Sequence, residues 1–141
     1  MMPETLVVDC SVAANWVLPE PRRIPALRLL DREEAGEVSL IAPDLLLTEF
    51  ASLIAKRARR KQISAADAAH SFRLMERSVL GLFETRPLLG TALELALNNQ
   101  LSLWDSVYLA LAIEHHCPLV TADRRLFRSS ASRHPAIRLL E

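Results

Sequence analysis

The sequence has few cysteines, no net charge and no long apolar run, and each absence excludes a class of protein. Its two cysteines, Cys10 and Cys117, lack the spacing of metal ligands, so we expect two small buried side chains in a reducing cytoplasm. No uninterrupted apolar run approaches the ~18 residues of a membrane-spanning helix. No Lys or Arg precedes the first apolar run, at residues 6–8, so we expect no signal peptide. These features predict a cytoplasmic protein without membrane association.

The charges balance, with 17 basic and 17 acidic side chains. This balance argues against a general nucleic-acid coat and leaves only local charged patches to consider. Half of the 141 residues are hydrophobic, which excludes a disordered chain. The length predicts a single domain over residues 1–141 that can fold without a disulfide or a structural zinc ion.

Short apolar runs alternate with longer helical patterns along the chain. The short runs predict strands at residues 5–8, 38–42, 82–85, 118–121 and 137–140. The longer patterns predict helices that begin near residues 12, 25, 43, 64, 87, 103 and 123. The fourth of these is expected to end at Gly81 and to bury Ala68, Phe72, Met75 and Val79. The alternation predicts a helix-rich, three-layer α/β/α fold with a central parallel sheet of four to five strands.

The helix predicted at residues 103–113 is apolar on most sides, which is typical of a buried helix. Ser102 and Asp105 form a plausible capping box at its start. No basic residue lies three or four positions from Asp105, and a charge at the edge of a core is costly unless something pairs with it. The partner of this carboxylate must therefore come from elsewhere.

Three further carboxylates stand at comparable places. Asp9 ends the first strand, Asp123 follows the fourth, and Glu49 lies in a leucine-rich helix without a basic neighbour three or four positions away. Ligands of open parallel sheets bind outside the carboxyl ends of the strands. Taken singly, each acid is explained better as a helix cap, a dipole partner or a solvated side chain.

Taken together, the four acids point to a metal site. Like charges within ~4–6 Å raise one another's pKa and repel, so such a cluster needs a counter-cation. Hard oxygen ligands without a His or Cys set favour Mg²⁺ or Mn²⁺. Two such ions clamp the attacking and leaving oxygens of a phosphodiester. The sequence therefore predicts metal-dependent phosphodiester hydrolysis.

Four segments occur in a recognisable order: Val7-Val8-Asp9-Cys10-Ser11, Glu49 after the second strand, Asp105-Ser106-Val107-Tyr108-Leu109-Ala110, and Val120-Thr121-Ala122-Asp123. This ordered set resembles the PIN domain, and in particular the VapC-type toxins of type II toxin–antitoxin pairs. The resemblance extends over residues 6–139. It implies a Mg²⁺- or Mn²⁺-dependent endoribonuclease in the cytoplasm, which cleaves RNA, binds a cognate antitoxin and forms a homodimer.

The resemblance also assigns residue roles. It implies that the catalytic and metal-binding acids are Asp9, Glu49, Asp105 and Asp123, with Glu49 acting directly or through water. Ser11 and Thr121 would be the hydroxyls that orient ligands or water. Asn15 stands where relatives often carry Lys, which removes one possible phosphate contact.

Other residues allow two interpretations. Arg124 and Arg125, beside the predicted site, are candidate RNA-phosphate contacts. The basic run at residues 56–61 either follows an RNA backbone, receives an acidic partner segment or satisfies its helix dipole. Trp16, Trp104 and Tyr108 are expected in the core or in a dimer contact rather than as platforms for bases.

Three alternative functions fit parts of the same pattern. An aspartyl phosphatase normally carries a second acid two residues after its nucleophile, but Ser11 stands there after Asp9. A phospho-receiver domain needs paired early acids and a Lys near its last strands, and residues 120–122 offer none. A catalytically silent PIN-like binding module, in which the acids serve only as caps, stays open.

Overall fold

The computed structural model describes residues 2–141, in which strands and helices alternate. The elements are β1 (Glu4–Val8), α1 (Cys10–Val17), α2 (Arg23–Glu34), β2 (Val38–Pro43), α3 (Leu45–Arg59), α4 (Ala65–Glu76), β3 (Gly81–Phe83), α5 (Leu89–Asn99), α6 (Leu103–Glu114), β4 (Leu119–Thr121), α7 (Arg124–Ser130) and β5 (Ile137–Leu139). A 3₁₀ turn, Arg86–Leu88, precedes α5. A single domain over residues 1–141 stays a prediction, and Met1 lies outside the described residues.

The five strands form one parallel sheet in the order β3-β2-β1-β4-β5. β1 is central, with Val7 opposite Ile41 of β2 and Val8 opposite Val120 of β4. The chain passes from β1 to one side of the sheet and later crosses to the other, so the strand order reverses between β1 and β4. In a parallel sheet such a reversal leaves a ligand crevice at the carboxyl ends of the strands. The predicted helix-rich α/β/α fold is confirmed.

The central strands are buried on both faces, which explains their continuously apolar sequences. Leu6, Val7 and Val8 are at most 2% exposed. α6 packs against β1 and β2 and buries every residue from Ser106 to Ala112. Each fully buried Val or Leu side chain contributes about 1.5–3 kcal/mol of transfer free energy, so these two elements fix the position of the strand ends.

Two predicted boundaries were wrong. Pro43 ends β2 instead of beginning α3. A proline has no N–H to donate to a neighbouring strand, so it is tolerated at the last position of β2, where the hydrogen-bonded ladder ends. α4 ends at Glu76, five residues before Gly81, and the cap residue Arg77 donates its N–H to the Arg73 carbonyl. Val79 therefore lies in the connection to β3 and is 51% exposed rather than buried.

Within residues 2–141, no helix combines the length and the apolar character that crossing a membrane requires.

Candidate functional site

Asp9 lies at the carboxyl end of β1 and is 6% exposed. Its Oδ1 accepts hydrogen bonds from the Val12 N–H at 3.2 Å and from the Ser11 hydroxyl at 2.5 Å, so it caps α1. Burial raises the pKa of Asp9 to about 6, against hydrogen bonds from Ser11, Thr121 and Val12, and the Asp105 charge raises it further. The capping role and a role in an acidic site are therefore compatible.

Ser11 and Thr121 connect the ends of β1 and β4. Their hydroxyl oxygens lie 3.3 Å apart. The Ala122 N–H donates to Ser11 Oγ at 2.9 Å, and the Asp123 N–H donates to Thr121 Oγ1 at 3.1 Å. These bonds hold the loop that carries Asp123 beside the loop that carries Asp9.

Asp105 lies in the first turn of α6, and its charge acts on Asp9 and on Glu49. Its N–H donates to Ser102 Oγ at 3.0 Å, which confirms the predicted cap. Burial raises the pKa of the half-buried Asp105 carboxyl, and the negative charge of Asp123 raises it further. A side-chain hydrogen bond from Ser102 to this carboxyl lowers its pKa. None of the three ion pairs within residues 2–141 involves this carboxylate.

Glu49 projects from α3 toward the same place. The Tyr108 hydroxyl donates to Glu49 Oε1 at 2.5 Å, and Tyr108 is 2% exposed. Burial raises the pKa of Glu49, the Tyr108 bond opposes this, and the Asp105 charge adds to the rise. Tyr108 was predicted only as a core or dimer residue, but it also holds a site carboxylate. Its position one helical turn after Asp105 was the signal in the sequence.

Asp123 is exposed and caps α7. Its Oδ1 accepts from the Arg125 N–H at 2.9 Å and from the Leu126 N–H at 3.2 Å. The cap that the sequence suggested is thus present. The side chains of Arg124 and Arg125 are exposed in the first turn of the same helix, beside this carboxylate.

Asp105 interacts electrostatically with each of the other three acids. Its charge raises the pKa of Asp9 and of Glu49, and the charge of Asp123 raises its own pKa. However, no three acidic, His or Cys side chains in residues 2–141 are arranged closely enough to coordinate one ion as they stand. The charges of these acids therefore act on one another, but the acids do not surround a single ion position. Asp9 and Asp123 instead accept hydrogen bonds from the first turns of α1 and α7.

A cavity of about 560 Å³ lies next to these acids, with Ser11, Asn15 and Glu49 in its lining. Asn15 is 4% exposed, and its Nδ2 donates to the Ser11 carbonyl at 2.7 Å. In the same wall, Glu20 forms an ion pair with Arg57. Arg57 therefore balances the charge of Glu20, whereas Glu49 forms no ion pair in the part of the chain that the structure describes.

The donor set tests whether a metal ion fits. The candidate ligands are hard carboxylate oxygens, and desolvation and mutual repulsion disfavour their charged forms. A divalent cation relieves both effects, and Mg²⁺ or Mn²⁺ prefers such oxygens and keeps several of its waters. The chemistry of these residues therefore fits a hydrated Mg²⁺ or Mn²⁺ ion.

The comparisons with known proteins agree with this geometry. A family model described as the PIN domain matches residues 6–131. Ribonuclease VapC9 of Mycobacterium tuberculosis is 31% identical over 130 residues, which cover 92% of this chain and 94% of the relative.

Solved structures share the fold at lower identity. The PAE2754 protein from Pyrobaculum aerophilum has a TM-score of 0.69 at 23% identity, over 99% of this chain and 92% of that chain. A toxin–antitoxin complex from Klebsiella pneumoniae has a TM-score of 0.64 at 14% identity, over 94% and 95% of the two chains. With the family model matching most of its length and a VapC relative matching nearly all of it, the chain belongs to the PIN-domain family and to the VapC group within it.

Proposed function

We propose that this chain is a Mg²⁺- or Mn²⁺-dependent endoribonuclease and the toxin of a type II toxin–antitoxin pair. One observation carries the proposal: Asp9, Glu49 and Asp105 all have raised pKa values, because they are desolvated and lie near one another without a basic partner. A structural ion-pair network would lower those pKa values instead. A divalent cation would stabilise the charged carboxylates of such a site by offsetting both their desolvation and their mutual repulsion.

Asp9 and Asp105 are the proposed direct metal ligands, with Asp123 next and Glu49 acting directly or through water. When bound, the ion supplies charge stabilisation to the oxygens of the phosphodiester. The support for Asp9 is its fixed position, since Ser11 and the Val12 N–H both hold Oδ1. The support for Asp105 is that its charge raises the pKa of both Asp9 and Glu49.

Glu49 is the proposed acceptor of the proton from the attacking water. Tyr108 donates to Oε1, which fixes the carboxylate and leaves Oε2 without a hydrogen bond from Tyr108. A pKa raised toward neutrality makes a carboxylate a better general base than an ordinary one. Arg124 and Arg125 are the proposed contacts to RNA phosphates, because they are exposed beside Asp123 at the start of α7.

The proposed protein partners are a cognate antitoxin and a second copy of the chain, both in the cytoplasm. An apolar groove of about 460 Å³ between α3 and α4 supports a protein contact, with Ile54, Ala68 and Phe72 in its lining. The Klebsiella pneumoniae structure with the same fold is named as a toxin–antitoxin complex.

A silent binding module is the second candidate, and one observation favours it. Asp9 and Asp123 already cap α1 and α7, so both acids have a structural use without metal. This candidate predicts that the wild-type chain does not cleave RNA in either metal, and that neutralising a site acid changes nothing in that result.

RNA cleavage by Asp105→Asn decides between the two candidates. Purified chain is incubated with unstructured RNA in Mg²⁺, in Mn²⁺ and in EDTA. We expect cleavage only with metal, and none by the variant, because it loses the charge that the other acids share.

Asp67→Asn is the matched control. Asp67 stands at the same position in α4 as Asp105 does in α6, and its N–H donates to Ser64 Oγ at 3.0 Å. It therefore reproduces any effect on a helix cap without touching the site. Absence of metal-dependent cleavage by the wild type would leave only the binding module, and equal cleavage by Asp105→Asn and wild type would refute the role of Asp105.

A further inference from the structure

Trp104, which was expected in the core or in a dimer contact, does not lie in the core. Its side chain is 57% exposed, whereas Trp16 and Tyr108 are 8% and 2% exposed. Trp104 directly precedes Asp105 in the first turn of α6. An indole left open to solvent beside a cluster of acids has no structural use that the fold explains.

The indole forms one wall of a cavity of about 420 Å³, and α3 forms the other. The α3 wall consists of Leu45, Thr48, Glu49, Ser52, Leu53 and Lys56. Their spacing of three or four residues places them on one face of the helix. Glu49 belongs both to this cavity and to the acidic site, so the cavity adjoins the site where the phosphodiester is proposed to react.

The cavity walls carry an aromatic ring, two hydroxyls and a cation, which are the groups that bind the base, sugar and phosphate of one nucleotide. An aromatic face stacks a base, and a cation beyond it neutralises a backbone phosphate. Lys56 lies seven residues after Glu49 on α3, which is about 10 Å along the helix axis. The hydroxyls of Thr48, next to Glu49, and of Ser52, between Glu49 and Lys56, line the same wall and can bond to a sugar or a base edge. A buried apolar segment of a protein partner would instead leave Glu49 and Lys56 desolvated.

We infer that this cavity binds one unpaired nucleobase of the RNA beside the bond that is cut, stacked on Trp104 with its phosphate on Lys56. The inference rests on the proposed nuclease function and deepens it. A base within a duplex is stacked on its neighbours and does not present its face. The site therefore selects RNA that is single-stranded, or looped, next to the cleaved bond.

Tryptophan fluorescence tests base binding without cleavage. A short oligoadenylate is titrated into the chain in EDTA at low salt. We expect quenching in the wild type and its loss in Trp104→Phe, because the remaining Trp16 is buried. A fully base-paired RNA of the same length should quench much less. Quenching that is unchanged in Trp104→Phe, or equal for the duplex, would refute the base subsite.

Cleavage kinetics in Mg²⁺ supply the second test. Stacking on an aromatic residue corresponds to roughly 5- to 150-fold in affinity, so Trp104→Ala should raise KM within that range with little change in kcat. Trp104→Phe should restore most of the loss. The matched control is Ile113→Ala, because Ile113 is an exposed apolar residue at the other end of α6, about 14 Å along the helix axis.

The two proposals fail in different ways. A chain that cleaves RNA while Trp104→Ala keeps the wild-type KM retains the nuclease and loses the base subsite. A chain that shows Trp104-dependent quenching but no cleavage in either metal retains the subsite and loses the nuclease. If Trp104→Ala changes only self-association in sedimentation, the cavity is a protein contact and the base subsite is wrong.

Discussion

Replacing Asp9 by Asn should stabilise the metal-free protein at neutral pH. Burial raises the pKa of Asp9 from its ordinary 3.8 to about 6. A carboxyl whose folded pKa is raised binds its proton more tightly in the native state, so stability is lost as the pH rises through the interval between those two values. At about 1.4 kcal/mol per pH unit, the charged form costs the native state about 3 kcal/mol at pH 7.

The variant keeps the side-chain oxygen that accepts from Val12 and Ser11, and it removes the buried charge. Its new amide donors must find acceptors in a buried place, which costs on the order of 1 kcal/mol. We therefore expect Asp9→Asn to raise the free energy of unfolding by about 1–3 kcal/mol at pH 7 in EDTA. Most of the gain should disappear near pH 4, where the wild-type carboxyl is protonated in the native state and about half protonated in the unfolded state.

Urea unfolding at pH 7 and at pH 4 measures both values, with Asp67→Asn as the exposed carboxylate control. A loss of more than about 1 kcal/mol at pH 7, or a gain that persists unchanged at pH 4, would refute the electrostatic reasoning. The same variant should lose metal-dependent RNA cleavage. More stability with less activity is the pattern expected of a strained functional site.

Two further changes test other contacts of the site. Tyr108→Phe should lower kcat by roughly 10-fold, because Glu49 loses the hydroxyl that fixes it. Since that hydrogen bond lowers the pKa of Glu49, the acid limb of the pH–rate profile should move to higher pH; an unmoved limb would contradict a role for Glu49 as the base. Lys56→Gln should weaken RNA binding and reduce the slope of log K against log salt by about 0.7, the value for one single-strand phosphate. Lys61→Gln, beyond the end of α3 and outside the cavity lining, is its control, and equal slopes for the two variants would show that Lys56 contacts no phosphate.

The fold was predictable where local sequence and tertiary burial agree. The continuous apolar run of β1 and the apolar surface of α6 each permit one interpretation in a domain of this size, and both elements formed as expected. Pro43 and Val79 were misplaced for a common reason. A proline fits the end of a strand as well as the start of a helix, and an apolar residue after a helix can stay exposed in a short connection. Only the packing of the neighbouring strands decides such cases.

The site was predictable in its residue types more than in its contacts. The sequence shows that Asp105 and Glu49 lack basic neighbours on their own helices, and from this the shared acidic field follows. It does not show that Tyr108 reaches Glu49 across 59 residues of chain, because that contact depends on where packing against β2 places both α3 and α6. The exposure of Trp104 could not be predicted for the same reason. A Trp in an apolar helix is usually buried, and the sequence allowed either a core position or a dimer contact.

Calorimetric titration of Mn²⁺ into the metal-free chain at pH 6 tests the central claim most directly. Half of the Asp9 carboxyls are protonated at that pH, so binding to the acidic site should release protons, and the measured heat should change with the ionisation enthalpy of the buffer. We predict saturable binding with this buffer dependence in the wild type and its loss in Asp105→Asn. Absence of binding, or binding that Asp105→Asn leaves unchanged, would contradict a metal site built from these four acids.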